Sequence, residues 1–347
     1  MQEIKNILTK FQKGYDDKNP KNTPDFMLEL FANRQDLLTL GTGSWEVCLN
    51  REEVEKLIHD DWDGGWGDFK IDIEGAQIEA DGNVAWFIAD CTVKYSFKDS
   101  DDNEYKRLGD WVKENAKNQN VPPKQRLAFL NWAISLLYHQ REPSKRDYLW
   151  PSNLSGMLIK ENNAWKIATL HFSVAKPNYP DERFEEIIGN YHEGHNHTKD
   201  KIIASTLNKA DSNLLLLLNQ LESAMKSSSL QFDPEQVIVF EAGHFSWLIA
   251  LGTEKCNISE NEIFEKSLLE IEGLFNSDLP PRPGPGPGDM MFQVKRNISY
   301  ALKEAASGSD FTWPIRLTAV AEKTEDGYKL RHKHFSYPFY WIFEGKL

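Results

Sequence analysis

Trp150-Pro-Ser-Asn-Leu-Ser-Gly-Met-Leu-Ile-Lys160, continuing through Trp165-Lys-Ile167 to His171-Phe-Ser173, decides the fold because it occurs twice. Displaced by 163 residues stands Trp313-Pro-Ile-Arg-Leu-Thr-Ala-Val-Ala-Glu-Lys323, which leads through Tyr328-Lys-Leu330 to His334-Phe-Ser336. Eight of the 24 positions match without a gap: Trp150/Trp313, Pro151/Pro314, Leu154/Leu317, Lys160/Lys323, Lys166/Lys329, His171/His334, Phe172/Phe335 and Ser173/Ser336. Upstream, Gly82-Asn-Val-Ala-Trp86-Phe-Ile88-Ala89 with Thr92 is echoed at a displacement of 161 by Gly243-His-Phe-Ser-Trp247-Leu-Ile249-Ala250 with Thr253. Two matches in one order argue for an internal duplication, and a repeat governs every later assignment.

Working outward, both copies place a charged helix-like stretch, a proline-rich break and a second amphipathic helix between the matched blocks. The breaks are Val121-Pro-Pro123 and Leu279-Pro-Pro-Arg-Pro-Gly284 with the Gly/Pro alternation to Gly288. This gives a full first unit over 1–185 with an insertion at about 98–148, and a linker over 186–197. A second unit over 198–347 carries an insertion at about 257–310. It is shortened at its front by about 30 residues and is predicted to open as one helix from Lys199 to about Ser227.

The elements follow from periodicity. Ile4, Ile7, Leu8 and Phe11 have helical spacing. Thr23 is predicted to cap a helix with Pro24 at its first position, and Asn50 with Glu53 forms a capping-box start to a helix running to about Trp62. Leu37 to Leu40 reads as a short strand. Phe69 to Glu79, Val84 to Phe97, Met157 to Lys160 and Trp165 to Val174 read as further strands, with Asp81-Gly82 as a hairpin turn. Helices first and an antiparallel sheet afterwards is the α+β order.

Composition narrows the function classes. With 53 acidic against 40 basic residues the net charge is -13, which repels a phosphate backbone, so nucleic acid is not an expected partner. Apolar runs such as Leu214 to Leu218 are far short of the roughly 20 residues of a membrane span. The start Met1-Gln-Glu-Ile-Lys lacks a secretory apolar core, so a cytoplasmic location is expected and no membrane partner. Cys48, Cys91 and Cys256 suit neither a disulfide framework nor a zinc site, and are read as reduced thiols. No metal or cofactor is expected.

Gly41-Thr-Gly-Ser-Trp45-Glu46, Asp81-Gly-Asn-Val-Ala-Trp86-Phe87 and Asn163-Ala-Trp165-Lys-Ile-Ala-Thr-Leu-His171-Phe-Ser173 together resemble the SnoaL-like branch of the nuclear transport factor 2-like superfamily. The resemblance covers roughly 1–97 and 150–176, and more weakly 237–253 and 313–337. It implies two tandem cone-like units, each a bent sheet wrapped around helices, with an apolar pocket in the full one. That superfamily contains isomerases, dehydratases, cyclases and non-catalytic binding or assembly modules, so fold does not decide function. Its isomerase-like members carry a tyrosine on the first helix and a carboxylate after the first strand. The matching positions here are near Phe11 and near Leu40 or Gly41, which cannot transfer that proton.

Candidate site residues follow. Asp60-Asp61-Trp62-Asp63-Gly64-Gly65-Trp66-Gly67-Asp68 combines carboxylates, free backbone and two indoles, fitting either a ligand site or a helix-ending loop whose tryptophans enter the core. Asp90, on one face with Ile88 and Trp86, would be a carboxylate with raised pKa if that face lines the pocket, or a strand-end Asp reaching water. The expected pocket is therefore Trp62, Trp66, Trp86 and Asp90 in the first unit, with Asp90, Asp61 and His171 as candidate catalytic groups. Trp150, His171, Ser173, Trp313, His334 and Ser336 recur in both copies and suit a structural or interface role, and His332 shares the strand face of His334 and Ser336. His192-Glu-Gly-His195-Asn-His197 is read as an incidental polar linker, not a metal site. Three functions stay open: a non-catalytic binder or regulator of a small apolar ligand built as an intramolecular pseudo-dimer, an isomerase, dehydratase or cyclase, and a scaffold. A further homo-oligomer is compatible with each.

Overall fold

The computed structural model describes residues 1–97, 146–174, 199–224, 229–257 and 310–336, apart from 44 and 66, with a few positions between 110 and 120. Most of both insertions, the linker with its three histidines, and Cys256 lie outside the described residues or side chains.

Helix α1 (Gln2–Asp17) buries Ile4, Leu8, Phe11 and Tyr15, one residue per turn on one face. It stops at Lys18, whose left-handed backbone (φ 34°) returns its N–H to Gly14 O. Helix α2 (Thr23–Leu30) starts at the expected cap itself, one residue earlier than predicted. Asn22 flanks it, and the Thr23 hydroxyl donates instead to Pro20 O at 2.9 Å. Helix α3 (Arg51–Asp63) starts as predicted: the Asn50 side chain accepts from Glu53 N–H, while the Glu53 carboxylate reaches back to Leu49 N–H at 2.8 Å.

Strands β1 (Leu38–Leu40), β2 (Val47–Cys48), β3 (Gly67–Ile71), β4 (Gln77–Asp81), β5 (Val84–Phe97), β6 (Arg146–Glu161) and β7 (Ala164–Val174) form the first sheet, in the order β2-β1-β7-β6-β5-β3 with β4 also on β5. The run expected as one strand from Phe69 to Glu79 is thus two pieces, β3 and β4, separated by the turn Asp72 to Gly75, where the Asp72 side chain accepts from Gly75 N–H. All pairs are antiparallel except β1 with β7. The second sheet runs β12-β11-β10-β9-β8, from β8 (Asn208–Lys209), β9 (Ser229–Ala242), β10 (Phe245–Asn257), β11 (Asp310–Thr324) and β12 (Gly327–Ser336). The single helix expected from Lys199 to about Ser227 is broken: 199–204 is helical, β8 intervenes, and α4 is Ser212–Ala224. Asp211 caps α4, its carboxylate accepting from Asn213 and Leu214 N–H.

The pairing registers of the two sheets correspond residue for residue. Trp86 opposes Met157 and Thr92 opposes Pro151, while at the displaced positions Trp247 opposes Val320 and Thr253 opposes Pro314. Ser155 opposes His171, and Thr318 opposes His334. The bulge between Met157 and Leu158 recurs between Val320 and Ala321. Both tight turns use a glycine at positive φ, Gly82 at 58° and Gly243 at 66°, where a Cβ would be strained.

Each sheet is apolar on both sides. In the first, Phe172 points at the helices, its ring 6.2 Å from Phe11 and 5.8 Å from Phe69. In the second, Val237, Val239, Leu248, Ala250, Leu317 and Ala319 pack under Leu214, Leu217, Leu218 and Leu221 of α4. The alternate residues Ile238, Phe240, Phe245, Trp247, Ile249 and Val320 join the core of the first sheet instead. Two sheets therefore face each other, with helices outside both. The segment at 199–204 is tied back to the first sheet's elements, since Lys201 pairs with Glu53 at 2.7 Å and Ile202 is buried in the same core.

In this arrangement the second half is expected to depend on the first. Residues 198–347 expressed alone should be insoluble or lack a cooperative unfolding transition, because the face of Phe240, Trp247 and Val320 loses its cover. A soluble, monomeric fragment with a sharp thermal transition would show that the second sheet is self-sufficient.

Candidate functional site

The centre of the first cone is filled by aromatic rings. Phe11, 1% exposed, has ring centroids of Tyr15, Phe26, Phe172, Phe69 and Phe31 at 5.2, 5.6, 6.2, 6.3 and 6.4 Å. Polar groups gather where the last turns of α1 and α3 meet. There the Tyr15 hydroxyl donates to Asp61 Oδ2 at 2.9 Å, and Trp62 stands edge-on to Tyr15 and Phe26 at 5.9 and 4.9 Å. The Lys18 ammonium closes this end by donating to Gly65 O at 3.4 Å.

Burial pushes the Asp61 carboxyl well above the usual carboxylate range; the nearby negative charge of Glu46 adds to this, and the Tyr15 hydrogen bond opposes it. Tyr15 is likewise raised, by burial first and by Asp61 second. Trp62 is 3% exposed, and its indole N–H has no hydrogen-bond partner among the described residues. Leaving such a donor unpaired costs on the order of 1–3 kcal/mol. Burial holds the Cys48 and Cys91 thiols up at about 12, so neither is a thiolate nucleophile.

Two expected pocket residues lie elsewhere. Trp86 is on the opposite face of β5 from Phe87, and its ring meets Phe245 of the second sheet at 4.9 Å. Asp90 is exposed on that same face, so it is not a carboxylate in an apolar wall. The reason is parity: both faces of β5 are apolar, and the face carrying Trp86 turns to the second sheet rather than into the cone. Trp66 and the side chains of Trp150 and Trp313 lie outside what is described.

The recurrent histidines sit between the sheets. His171 is fully buried; its Nδ1 and Nε2 meet Thr318 Oγ1 and Ser336 Oγ, each at 2.8 Å. His334 answers with Nδ1 to Ser155 Oγ and Nε2 to Ser173 Oγ, each at 2.7 Å. The two rings stack with centroids 4.0 Å apart. Burial lowers both imidazoles, His171 further through His334, Arg316 and His332, and His334 to about 3. Both ring nitrogens of His171 are engaged between the sheets, on the side of β7 opposite Phe172, which faces the helices. Burial also lowers His332, to about 4.

Among the described residues no group of three or more acidic, histidine or cysteine side chains could hold a metal, and no helix is long and apolar enough to cross a membrane.

A tyrosine on the first helix, a half-buried carboxylate and a helix-filled bent sheet direct the comparison with known proteins. Residues 4–108 match the SnoaL-like domain. No curated protein matches the chain. Among solved structures, it is similar to a nuclear transport factor 2-like superfamily protein from Salmonella enterica (TM-score 0.32, 13% identity, covering 52% of this chain and 94% of that one). It is also similar to a protein of unknown function with a cystatin-like fold from Nostoc punctiforme (TM-score 0.30, 14% identity, 52% and 92% covered). A third is a nuclear transport factor 2-like protein of unknown function from Pseudomonas putida (TM-score 0.32, 8% identity, 52% and 89% covered).

Of the residues that meet at this end of α1 and α3, the sequence had pointed to Asp61 and Trp62 but not to Tyr15 or Glu46. Tyr15 continues the buried series of Ile4, Leu8 and Phe11 by one more turn, a signal that was present. Glu46 had none: only the loop between β1 and β2 brings it near α3.

Proposed function

We propose that the protein binds a small, largely apolar molecule without chemistry of its own, and that it is an intramolecular pseudo-dimer produced by tandem duplication of a SnoaL-like unit. The observation that carries the binding reading is the N–H of Trp62, which has no partner among the described residues and stands beside Tyr15 and Asp61. A ligand with an apolar body and one hydrogen-bond acceptor would satisfy that donor. Phe11 fills the centre, so the ligand belongs at the end of the cone where α1 and α3 finish. The pseudo-dimer reading is supported by the matching registers and by the exchange of contacts: His171 bonds the displaced counterparts of the two hydroxyls that His334 bonds, as a two-fold pairing requires.

Native mass spectrometry of the purified protein should reveal a bound compound that is lost in Trp62→Phe, which keeps the ring and removes only the donor. A protein that purifies empty, and whose Trp62→Phe variant is more stable than the wild type, would mean that the indole is merely an unsatisfied core group.

The raised Asp61 favours a second reading, in which the carboxyl acts as a general acid on the same ligand. In that case Asp61→Asn would retain the compound and abolish its turnover, whereas a pure binder leaves it chemically unchanged with either side chain.

A further inference from the structure

Arg316 lies on β11 of the second sheet, is 2% exposed, and reaches across to the first unit. Its Nη1 donates to the carbonyls of Gly41 and Gly43 at 3.1 and 3.0 Å. These two glycines begin the loop joining β1 to β2, and the same loop is closed on itself by Glu46. Gly41 N–H donates to Glu46 O at 2.8 Å, and Glu46 Oε2 accepts from Gly43 N–H at 2.7 Å. The Glu46 side chain lies flat on Gly41: a Cβ there would come within 2.1 Å of Oε2 and 2.6 Å of the Glu46 Cβ. One guanidinium from the second half therefore grips the outside of a loop whose inside is occupied by a carboxylate. The counterpart of Arg316 in the first half is Asn153, so the duplication did not supply this grip symmetrically.

We infer that Arg316 is a positioning residue for the first unit's site: by holding the carbonyls of Gly41 and Gly43 it fixes the loop that keeps Glu46 within electrostatic reach of Tyr15 and Asp61. The shortened half is then more than a structural partner. It shapes the electrostatics of a site that its described residues do not contact, and a buried cation bonded to those two carbonyls ties the second sheet to the unit bearing that loop. The inference rests on the reading of Tyr15, Asp61 and Trp62 as a site, but its test requires no ligand.

The test is a carbon-13 titration of the aspartate carboxyls in the full chain, with the Asp61 resonance assigned through Asp61→Asn. In the wild type Asp61 should titrate above the ordinary carboxylate range. Glu46→Gln should lower its midpoint directly. Arg316→Gln should lower it too, although residue 316 does not touch Asp61, and Arg316→Lys should fall between, since one ammonium keeps the charge but grips the two carbonyls less rigidly. If Arg316→Gln does not fold, Arg316→Lys carries the test of the grip, and Gly41→Ala, whose methyl displaces Glu46, tests the loop's hold on Glu46 separately. A midpoint unmoved in folded Arg316→Gln, or in Arg316→Lys where the glutamine variant does not fold, or in Gly41→Ala, while Glu46→Gln moves it, would overturn the positioning role. A midpoint indifferent to Glu46→Gln would overturn it as well. A protein that purifies without a bound compound leaves these outcomes unchanged, so the two failures are separable.

Discussion

Lowering the pH from 7 to 5 should remove about 4 kcal/mol of stability through His171 and His334 alone. Both are buried as neutral rings, so their folded-state values lie below the unfolded value of about 6.5. Their contribution is complete above that value, and is lost as the pH falls from there toward the folded values, about 3 for His334. Over this window each costs about 1.4 kcal/mol per pH unit, because the unfolded chain takes up a proton that the folded one refuses. Protonation inside would set two imidazolium rings 4.0 Å apart, with Arg316 and His332 nearby. His332, lowered to about 4, acts with the same sign, whereas the raised Asp61 acts against it, being easier to protonate when folded. Urea denaturation midpoints at pH 7, 6 and 5 should fall steadily in the wild type. A His171→Gln/His334→Gln double variant, which keeps donors and acceptors for the four hydroxyls, should lose most of that slope. Equal wild-type midpoints at pH 7 and 5 would show that the rings are not held neutral.

The second large effect is expected at Phe11. Replacing it by Ala removes the ring that five others surround, and large-to-small changes of this kind cost about 3–5 kcal/mol when the site cannot collapse. Collapse is hindered here because the surrounding rings belong to α1, α2, β3, β7 and the residue after α2, each held by its own backbone pairing. Urea unfolding of Phe11→Ala should show that loss, and the dry space left behind should take up benzene, seen as a benzene-dependent rise in melting temperature absent from the wild type. A loss under about 1 kcal/mol would mean that the cone centre is loosely filled and that the ligand region extends further inward.

The repeat and the α+β order were written in the linear sequence. Eight identities over 24 positions carry them, and the same displacements reappear in the sheet registers. The helix starts at Arg51 and the turn at Gly82 were legible for a local reason: caps and positive-φ glycines act over three or four residues. The recurrence of His171 and Ser173 was also legible, and both make hydrogen bonds to the second sheet.

What only the tertiary structure decided was orientation. A strand such as β5 is apolar on both faces, so alternation says that Trp86 and Phe87 point in opposite directions but not which one meets the helices. That choice removed Trp86 and Asp90 from the candidate site. Tyr15 and Asp61 are 46 residues apart, and Arg316 lies 275 and 273 residues from the two carbonyls it holds. No local rule links such positions, because the free energy that brings them together comes from packing two sheets and their helices as a whole, and each polar contact takes its place only after that packing is fixed.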